Sequence, residues 1–257
     1  MRTIHVIGIG AGDPEQLTLQ AVRALRDTDV FFILDKGEVK SDLTGLRRDM
    51  LDAHVPEGTY RVVEARDPDR DRSAGGAAYS PAVGDWRSAR AGIYARLITE
   101  ELGEDETGAF LVWGDPALYD STLAILEEVL ASGTVAFAYD VIPGISSVSS
   151  LAARHRTGLN RVARPVQITT GRRLAEGFPD GVDDVVVMLD AHQRFRQYAD
   201  EDLDIYWGAY LGTPDEILVS GPIAEAAPRI ERLRAEARER KGWIMDTYLL
   251  RRKPRER

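Results

Sequence analysis

Gly-Asp-Pro occurs twice in this chain, as Gly12-Asp13-Pro14 and Gly114-Asp115-Pro116, and each copy follows a short apolar run with the pattern of a buried strand. A third turn, Pro143-Gly144-Ile145-Ser146-Ser147, closes the run Val135 to Val141 in the same way. Glycine lets a ligand approach bare backbone, and the neighbouring aspartate adds negative charge. Backbone donors and acceptors beside a carboxylate suit a ligand that carries an amine and a carboxylate. They do not suit phosphate. Gly8, Gly10 and Gly12 form G-x-G-x-G, but the third glycine of the dinucleotide fingerprint would fall at residue 13. That residue is Asp13, and Pro14 and Glu15 stand where a helix amino terminus should face a pyrophosphate. A nicotinamide-dependent oxidoreductase built on this loop is therefore disfavoured. Ordinary tight turns explain any one of the loops; three at strand ends in one chain weigh against that plain alternative.

The elements that must position these loops follow from hydrophobic spacing. Strands are expected at Ile4 to Ile9, Val30 to Leu34, Tyr60 to Val63, Ala109 to Trp113 and Val135 to Tyr139. Helices are expected at Leu17 to Leu25, Leu43 to His54, Asp85 to Leu102, Ser121 to Leu130 and Ser146 to His155. The alternation of strand and helix predicts an α/β fold with a mainly parallel sheet flanked by helices. In such a sheet ligands bind outside the carboxyl ends of the strands, the edge on which all three glycine turns fall. Ala65 to Gly84, rich in Asp, Arg, Gly and Ser, reads as a long surface loop. After His155 the pattern changes to strands at Val166 to Thr169, Val185 to Leu189, Ile205 to Leu211, Ile217 to Val219 and Trp243 to Tyr248, with one main helix from Ala224 to Arg240. This half predicts a mixed-sheet α/β domain. The division is placed between residues 1–157 and 158–257, and the charged tail from Arg251 reads as frayed.

Bulk properties set limits. The 257 residues suffice for two modest domains. A formal net charge of -9 argues against a nucleic-acid binder held by a general positive field, and the absence of cysteine removes disulfides, thiolate metal sites and cysteine nucleophiles. No apolar stretch reaches the roughly 18 residues of a membrane span, and Met1-Arg2-Thr3 leads straight into a strand rather than a signal peptide. The expectation is a soluble, cytoplasmic protein with no bound metal and neither nucleic acid nor membrane as partner.

Taken with their order and spacing, Val6-Ile7-Gly8-Ile9-Gly10-Ala11-Gly12-Asp13-Pro14, Gly114-Asp115-Pro116-Ala117-Leu118-Tyr119 and Pro143-Gly144-Ile145-Ser146-Ser147 resemble the tetrapyrrole (corrin and porphyrin) methylase family. The second half carries matching blocks at Ile168-Thr169-Thr170, Val186-Val187-Met188-Leu189 and Ser220-Gly221-Pro222-Ile223. The resemblance implies a two-domain homodimer that binds S-adenosyl-L-methionine, releasing S-adenosyl-L-homocysteine, in a cleft completed by the second domain. Carried over by position, Ala11 borders the cofactor, Trp113, Gly114, Asp115 and Leu118 form the second binding loop, and Ser146 and Ser147 follow the third. From the second half, Leu189 matches a position beside the adenine and Tyr210 or Leu211 a further adenosine contact. Many family members have proline where this chain has Ala11, a change that backbone binding tolerates.

Longer segments, among them Phe31 to Gly37, Leu111 to Thr122, Trp207 to Glu216 and Gly242 to Arg251, resemble members that methylate C-1 of precorrin-5 with hydrolytic loss of acetate in cobalamin biosynthesis. Methyl transfer is mainly a positioning task. Deacylation requires an activated water and a stabilised oxyanion. Asp35, Asp115, Asp190 and His192 lie at or just after expected strand ends and are the candidate bases. Asp35 with Lys36 is preferred, and Tyr119 could donate a hydrogen bond. Asp115 suits a bracing or cofactor-binding role, and His192 a surface position. The substrate is polyanionic, and from Ala153 to Ala175 there are six arginines and no acidic residue. Arg154, Arg156 and Arg161 are the candidate carboxylate ligands, with a solvated basic face as the alternative. Arg47, Arg48, Arg66 and Arg90 are secondary candidates. Other readings are a family member acting at a different precorrin carbon and a binding protein with a degenerate site.

Overall fold

The computed structural model describes residues 1–35, 41–68 and 79–253. They form two compact units, the first of Met1–Gly10 and Pro14–Ile145, the second of Ala11–Asp13 and Ser146–Arg257. The chain passes between units at Ile145, earlier than the 157/158 division suggested by the pattern, because the helix after the third glycine turn packs on strands of the second unit.

The first unit is built on β1 (Thr3–Gly8), β2 (Val30–Asp35), β3 (Arg61–Arg66), β4 (Thr107–Val112) and β5 (Ala138–Ile142), with helices α1 (Leu19–Arg26), α2 (Ser41–His54), α3 (Tyr79–Glu101) and α4 (Thr122–Ser132). The strands lie in the order β3-β2-β4-β1-β5 and every pairing is parallel. Parallel strands covered on both faces read as continuous apolar runs, and the buried residues divide accordingly. Ile4, Val6, Phe32 and Phe110 enter one core cluster with Tyr94, Ile98 and Ile125, while Ile7, Phe31 and Leu111 enter another with Leu25, Met50 and Leu51. The alternation of side chains along each strand sends neighbours to opposite faces.

Several boundaries differ from expectation for local reasons. Thr18 is the N-cap of α1, its hydroxyl accepting from the Ala21 amide at 3.0 Å, so the helix begins after Leu17. Val135 and Phe137 are buried in the core ahead of β5 rather than in it, which displaces that strand from the expected Val135 to Tyr139. The expected loop from Ala65 to Gly84 is shortened at both ends, by β3 running to Arg66 and by α3 starting at Tyr79, with Pro81 in the first turn where no intrahelical N–H is needed.

The second unit contains β6 (Val166–Thr170), β7 (Asp184–Met188), β8 (Leu203–Ala209), β9 (Ile217–Pro222) and β10 (Asp246–Arg252), with α5 (Ser147–Arg154), α6 (Gly171–Leu174) and α7 (Ile223–Lys241). The strand order is β6-β7-β10-β8-β9; only β6 and β7 are parallel, the remaining pairs being antiparallel. The last strand is thus an interior one. Arg251 and Arg252 belong to β10 and are not frayed: the Arg251 guanidinium donates to Asp184 Oδ1 at 2.6 Å and to the Gly158 carbonyl at 2.7 Å. Among the described residues no helix is long and apolar enough to cross a membrane.

Candidate functional site

In the first unit the glycine loops meet backbone to backbone. Gly114 donates its amide to the Gly10 carbonyl at 2.7 Å and accepts from the Gly10 amide at 3.3 Å, an antiparallel bridge between the loops after β1 and β4. A Cβ on Gly144 would fall on the Gly114 carbonyl oxygen and on Gly8, and a Cβ on Gly8 would fall on the Gly144 amide. Only glycine fits at either place. Asp115 ties the second loop to the third, with Oδ1 accepting from the Ala117 amide at 2.8 Å and Oδ2 from the Gly144 amide at 2.9 Å. This is the geometry of a brace, though each oxygen keeps a lone pair for a ligand donor.

Trp113 packs against the core cluster of Ile7 and Leu111, and Leu118 donates its amide to the Asp115 carbonyl at 3.2 Å. Tyr119 is 46% exposed with a left-handed φ of 52°, and partial burial raises its phenol above the usual value, so it is a neutral donor at physiological pH. Asp35 is exposed at the carboxyl end of β2, the same sheet edge as the three loops, and its carbonyl accepts from the Asp67 amide at 2.9 Å. Lys36 lies outside the described residues.

A polar cluster that the sequence offered only as scattered arginines lies in this unit. Arg90 pairs with Asp67 at 2.8 Å, with both side chains largely buried, and its guanidinium sits 4.7 Å from the Trp86 ring centre. Arg47 donates to the carbonyls of Leu43 at 2.9 Å and Leu111 at 3.3 Å. Burial lowers its pKa to about 10, opposed by the charge of Asp120. Arg48, by contrast, is exposed and paired with Glu64 at 2.6 Å.

In the second unit Ala11 is buried, and the Asp13 amide lies so close to Gly212 that a Cβ there would meet it at 2.8 Å. Ser146 caps α5, accepting from the Ser149 amide at 3.3 Å, and the Ser147 hydroxyl lies 3.4 Å from that of Thr247. Leu189, just past β7, is 66% exposed at φ 55°. Tyr210, just past β8, is the reverse: buried at φ 49°, with its hydroxyl donating to the Trp243 carbonyl at 2.5 Å. What Tyr210 can present to a ligand is backbone. Leu211 is buried as well.

The described non-glycine residues with positive φ are Tyr119, Arg156, Ala163, Leu189, Gln193 and Tyr210. Such conformations cost about 1–3 kcal/mol each and gather at functional sites. Four of the six, Tyr119, Arg156, Leu189 and Tyr210, are among the candidate site residues.

Two groups of candidates change character. The arginine stretch is free of acids in sequence but not in space. Arg154 pairs with Glu216 at 2.5 Å, and Arg161 with Asp184 at 3.3 Å and Asp183 at 3.5 Å, whereas Arg156 is exposed. Arg161 therefore serves the fold, helping Arg251 to neutralise the fully buried Asp184. As for the bases, Asp190 is buried and accepts three hydrogen bonds, from the amides of His192 and Arg194 and from the Tyr248 hydroxyl. That environment holds it in a structural role. His192 is exposed.

The loops also declare what they can hold. Residues 8–14, 112–121 and 142–147 contain no lysine or arginine but do contain Asp13, Asp115 and Asp120. A glycine cradle without basic side chains fits a cofactor with a free amine and a positive sulfonium, and not a pyrophosphate. Fold and loops together define the class: the chain belongs to the family of tetrapyrrole (corrin/porphyrin) methylases, whose model matches residues 3–227. The individual relatives narrow this. A precorrin-6A synthase [deacetylating] from Sinorhizobium sp is 54% identical over 251 residues, covering 98% of this chain and 95% of the relative. The solved structure of a cobalamin-synthesis-related protein (CobF) from Corynebacterium diphtheriae is 40% identical with a TM-score of 0.81, covering 98% of both chains. A uroporphyrin-III C-methyltransferase from Thermus thermophilus, complexed with S-adenosyl homocysteine, shares the fold at a TM-score of 0.57 and 20% identity over 96% of both chains.

Proposed function

We propose that this protein is a precorrin-6A synthase, methylating C-1 of precorrin-5 from S-adenosyl-L-methionine while the acetyl group at that carbon leaves as acetate. The observation that carries the reading is 54% identity to a deacetylating precorrin-6A synthase along nearly the whole of both chains. The cofactor supplies an electrophilic methyl on a sulfonium. By their positions in the family motifs, Ala11, Trp113, Gly114, Asp115, Leu118, Ser146, Ser147, Leu189, Tyr210 and Leu211 are the residues to hold it. Asp115 can accept from the amine with the lone pairs its loop leaves open, and Tyr210 contributes backbone.

For the acyl step, Asp35 takes a proton from the water that attacks the acetyl carbonyl. Tyr119 donates its hydroxyl to the developing oxyanion. The bond from C-1 to the acetyl carbon then breaks, acetate departs, and the electron pair left on C-1 captures the methyl. Arg156, exposed, and Arg154, shared with Glu216, are the candidate ligands for substrate carboxylates. The Asp35→Ala protein should keep its affinity for S-adenosylhomocysteine and lose acetate release by about 100-fold, the low end of general-base contributions; unchanged acetate release removes Asp35 from the mechanism. Thermal protection by S-adenosylhomocysteine and not by NAD is expected, and protection by NAD alone would overturn the cofactor assignment.

A further inference from the structure

The turn after β7 contains two left-handed residues, Leu189 and Gln193, around a single buried carboxylate, that of Asp190. Leucine pays for a positive φ with a steric clash, and Leu189 is also 66% exposed, so burial of its own side chain does not hold it there. The restraint comes from beneath. Asp190 Oδ1 accepts from the His192 amide at 3.1 Å, and Oδ2 from the Arg194 amide at 2.5 Å and the Tyr248 hydroxyl at 2.7 Å. The Asp190 carbonyl accepts from Arg234 Nη2 at 3.2 Å. Arg234 in turn donates through Nε to Asp246 Oδ2 at 3.0 Å, an oxygen that also accepts from the Trp207 indole at 2.9 Å. Gly171 leaves the space: any Cβ there would collide with the Asp190 carboxylate.

We propose that Asp190 is a positioning residue, a clamp whose hydrogen bonds hold Leu189 left-handed with its side chain presented outward, and that this clamp sets the affinity for the adenosine end of the cofactor. The inference rests on the reading that Leu189 contacts the cofactor. Arg234, Asp246 and Trp207 anchor the clamp to β8, β10 and α7, so the turn cannot relax without disturbing the core of the unit. Asp190 touches no reacting atom.

The test is a cycle of variants read by calorimetric titration with S-adenosylhomocysteine and by steady-state kinetics. Asp190→Asn should raise the Kd for S-adenosylhomocysteine, and the KM for S-adenosylmethionine, about tenfold, the scale of a hydrogen bond to a charged group. At saturating cofactor kcat should stay within about twofold, as expected for loss of uniform binding. Tyr248→Phe, which removes one bond and keeps the shape, should move the same two constants in the same direction by a few-fold, and it serves if Asp190→Asn does not fold. Leu189→Gly, which adopts positive φ without strain, should weaken binding on its own and make the further change Asp190→Asn nearly silent. Equal effects of Asp190→Asn with Leu189 and with Gly at that position would overturn the clamp. A Leu189→Gly protein with wild-type affinity would instead overturn the cofactor contact on which the clamp rests.

Discussion

The two units place the backbone of the candidate site residues in unusual conformations by opposite means. At the carboxyl edge of the parallel sheet the glycine loops approach so closely that side chains are excluded at Gly8 and Gly144, the loops of Gly10 and Gly114 bridge through backbone, and Asp115 ties its loop to Gly144. In the second unit the turns after β7 and β8 carry bulky residues, Leu189 and Tyr210, at φ values that glycine would adopt freely, and buried polar contacts hold them there. The first device depends on absent atoms and the second on present ones. Substitutions should therefore fail differently in the two places: by collision in the first unit and by loss of partners in the second.

The largest effect is expected for Gly144→Ala. Its Cβ meets backbone atoms of Gly114 and Gly8 that have no room to give, so the cost should reach about 3 kcal/mol or more, with S-adenosylhomocysteine binding lost. Chemical denaturation and titration would show it; a soluble variant with normal affinity would show that the glycine contact is not required. Next comes Asp115→Ala, which strands the Gly144 amide, and about 1–3 kcal/mol of stability should go with it, along with at least tenfold in cofactor-product affinity. If stability falls and affinity does not, Asp115 is a brace only.

A smaller, pH-dependent effect belongs to His155, whose Nε2 lies 3.0 Å from the Trp207 carbonyl. Burial lowers its pKa below the ordinary histidine value of about 6.5. The unfolded chain then takes up a proton before the folded one, so this group's contribution is present above about pH 6.5 and is lost as the pH falls through the folded-state value. Melting temperatures between pH 7.5 and 5.5 should fall more steeply for the wild type than for His155→Gln. Parallel curves would contradict this. The smallest effect carries the opposite sign: Gly92, exposed within α3 with open space around it, should become more stabilising by about 0.5–1 kcal/mol as alanine. The pair Gly144 and Gly92 separates a glycine required by packing from one that is not.

Much of the first unit could be read from the chain, because parallel strands buried on both faces leave unbroken apolar runs and the glycine turns mark their ends. The rest is hidden in the chain where burial and strand pairing part company. Val135 and Phe137 are core residues outside a strand, and β10, an interior strand, ends in Arg251 and Arg252, whose acidic partners Asp184 and Glu201 lie far back in the chain. The same separation hid the partners of Arg154 and Arg161, so a stretch without acids looked like a free basic surface. The site residues came from a family resemblance rather than from periodicity. Spacing alone could not show that Asp190, a candidate base by its place after a strand, is enclosed by Tyr248 and two amides.

Whether this methylase removes an acetyl group as it adds a methyl is decided by single-turnover reaction of the purified protein with precorrin-5 and methyl-labelled S-adenosylmethionine, measuring acetate and labelled macrocycle in the same sample. One acetate is expected for each methyl, with the label at C-1. Methylated macrocycle without acetate, or no transfer to precorrin-5 alongside transfer to another precorrin, would contradict it.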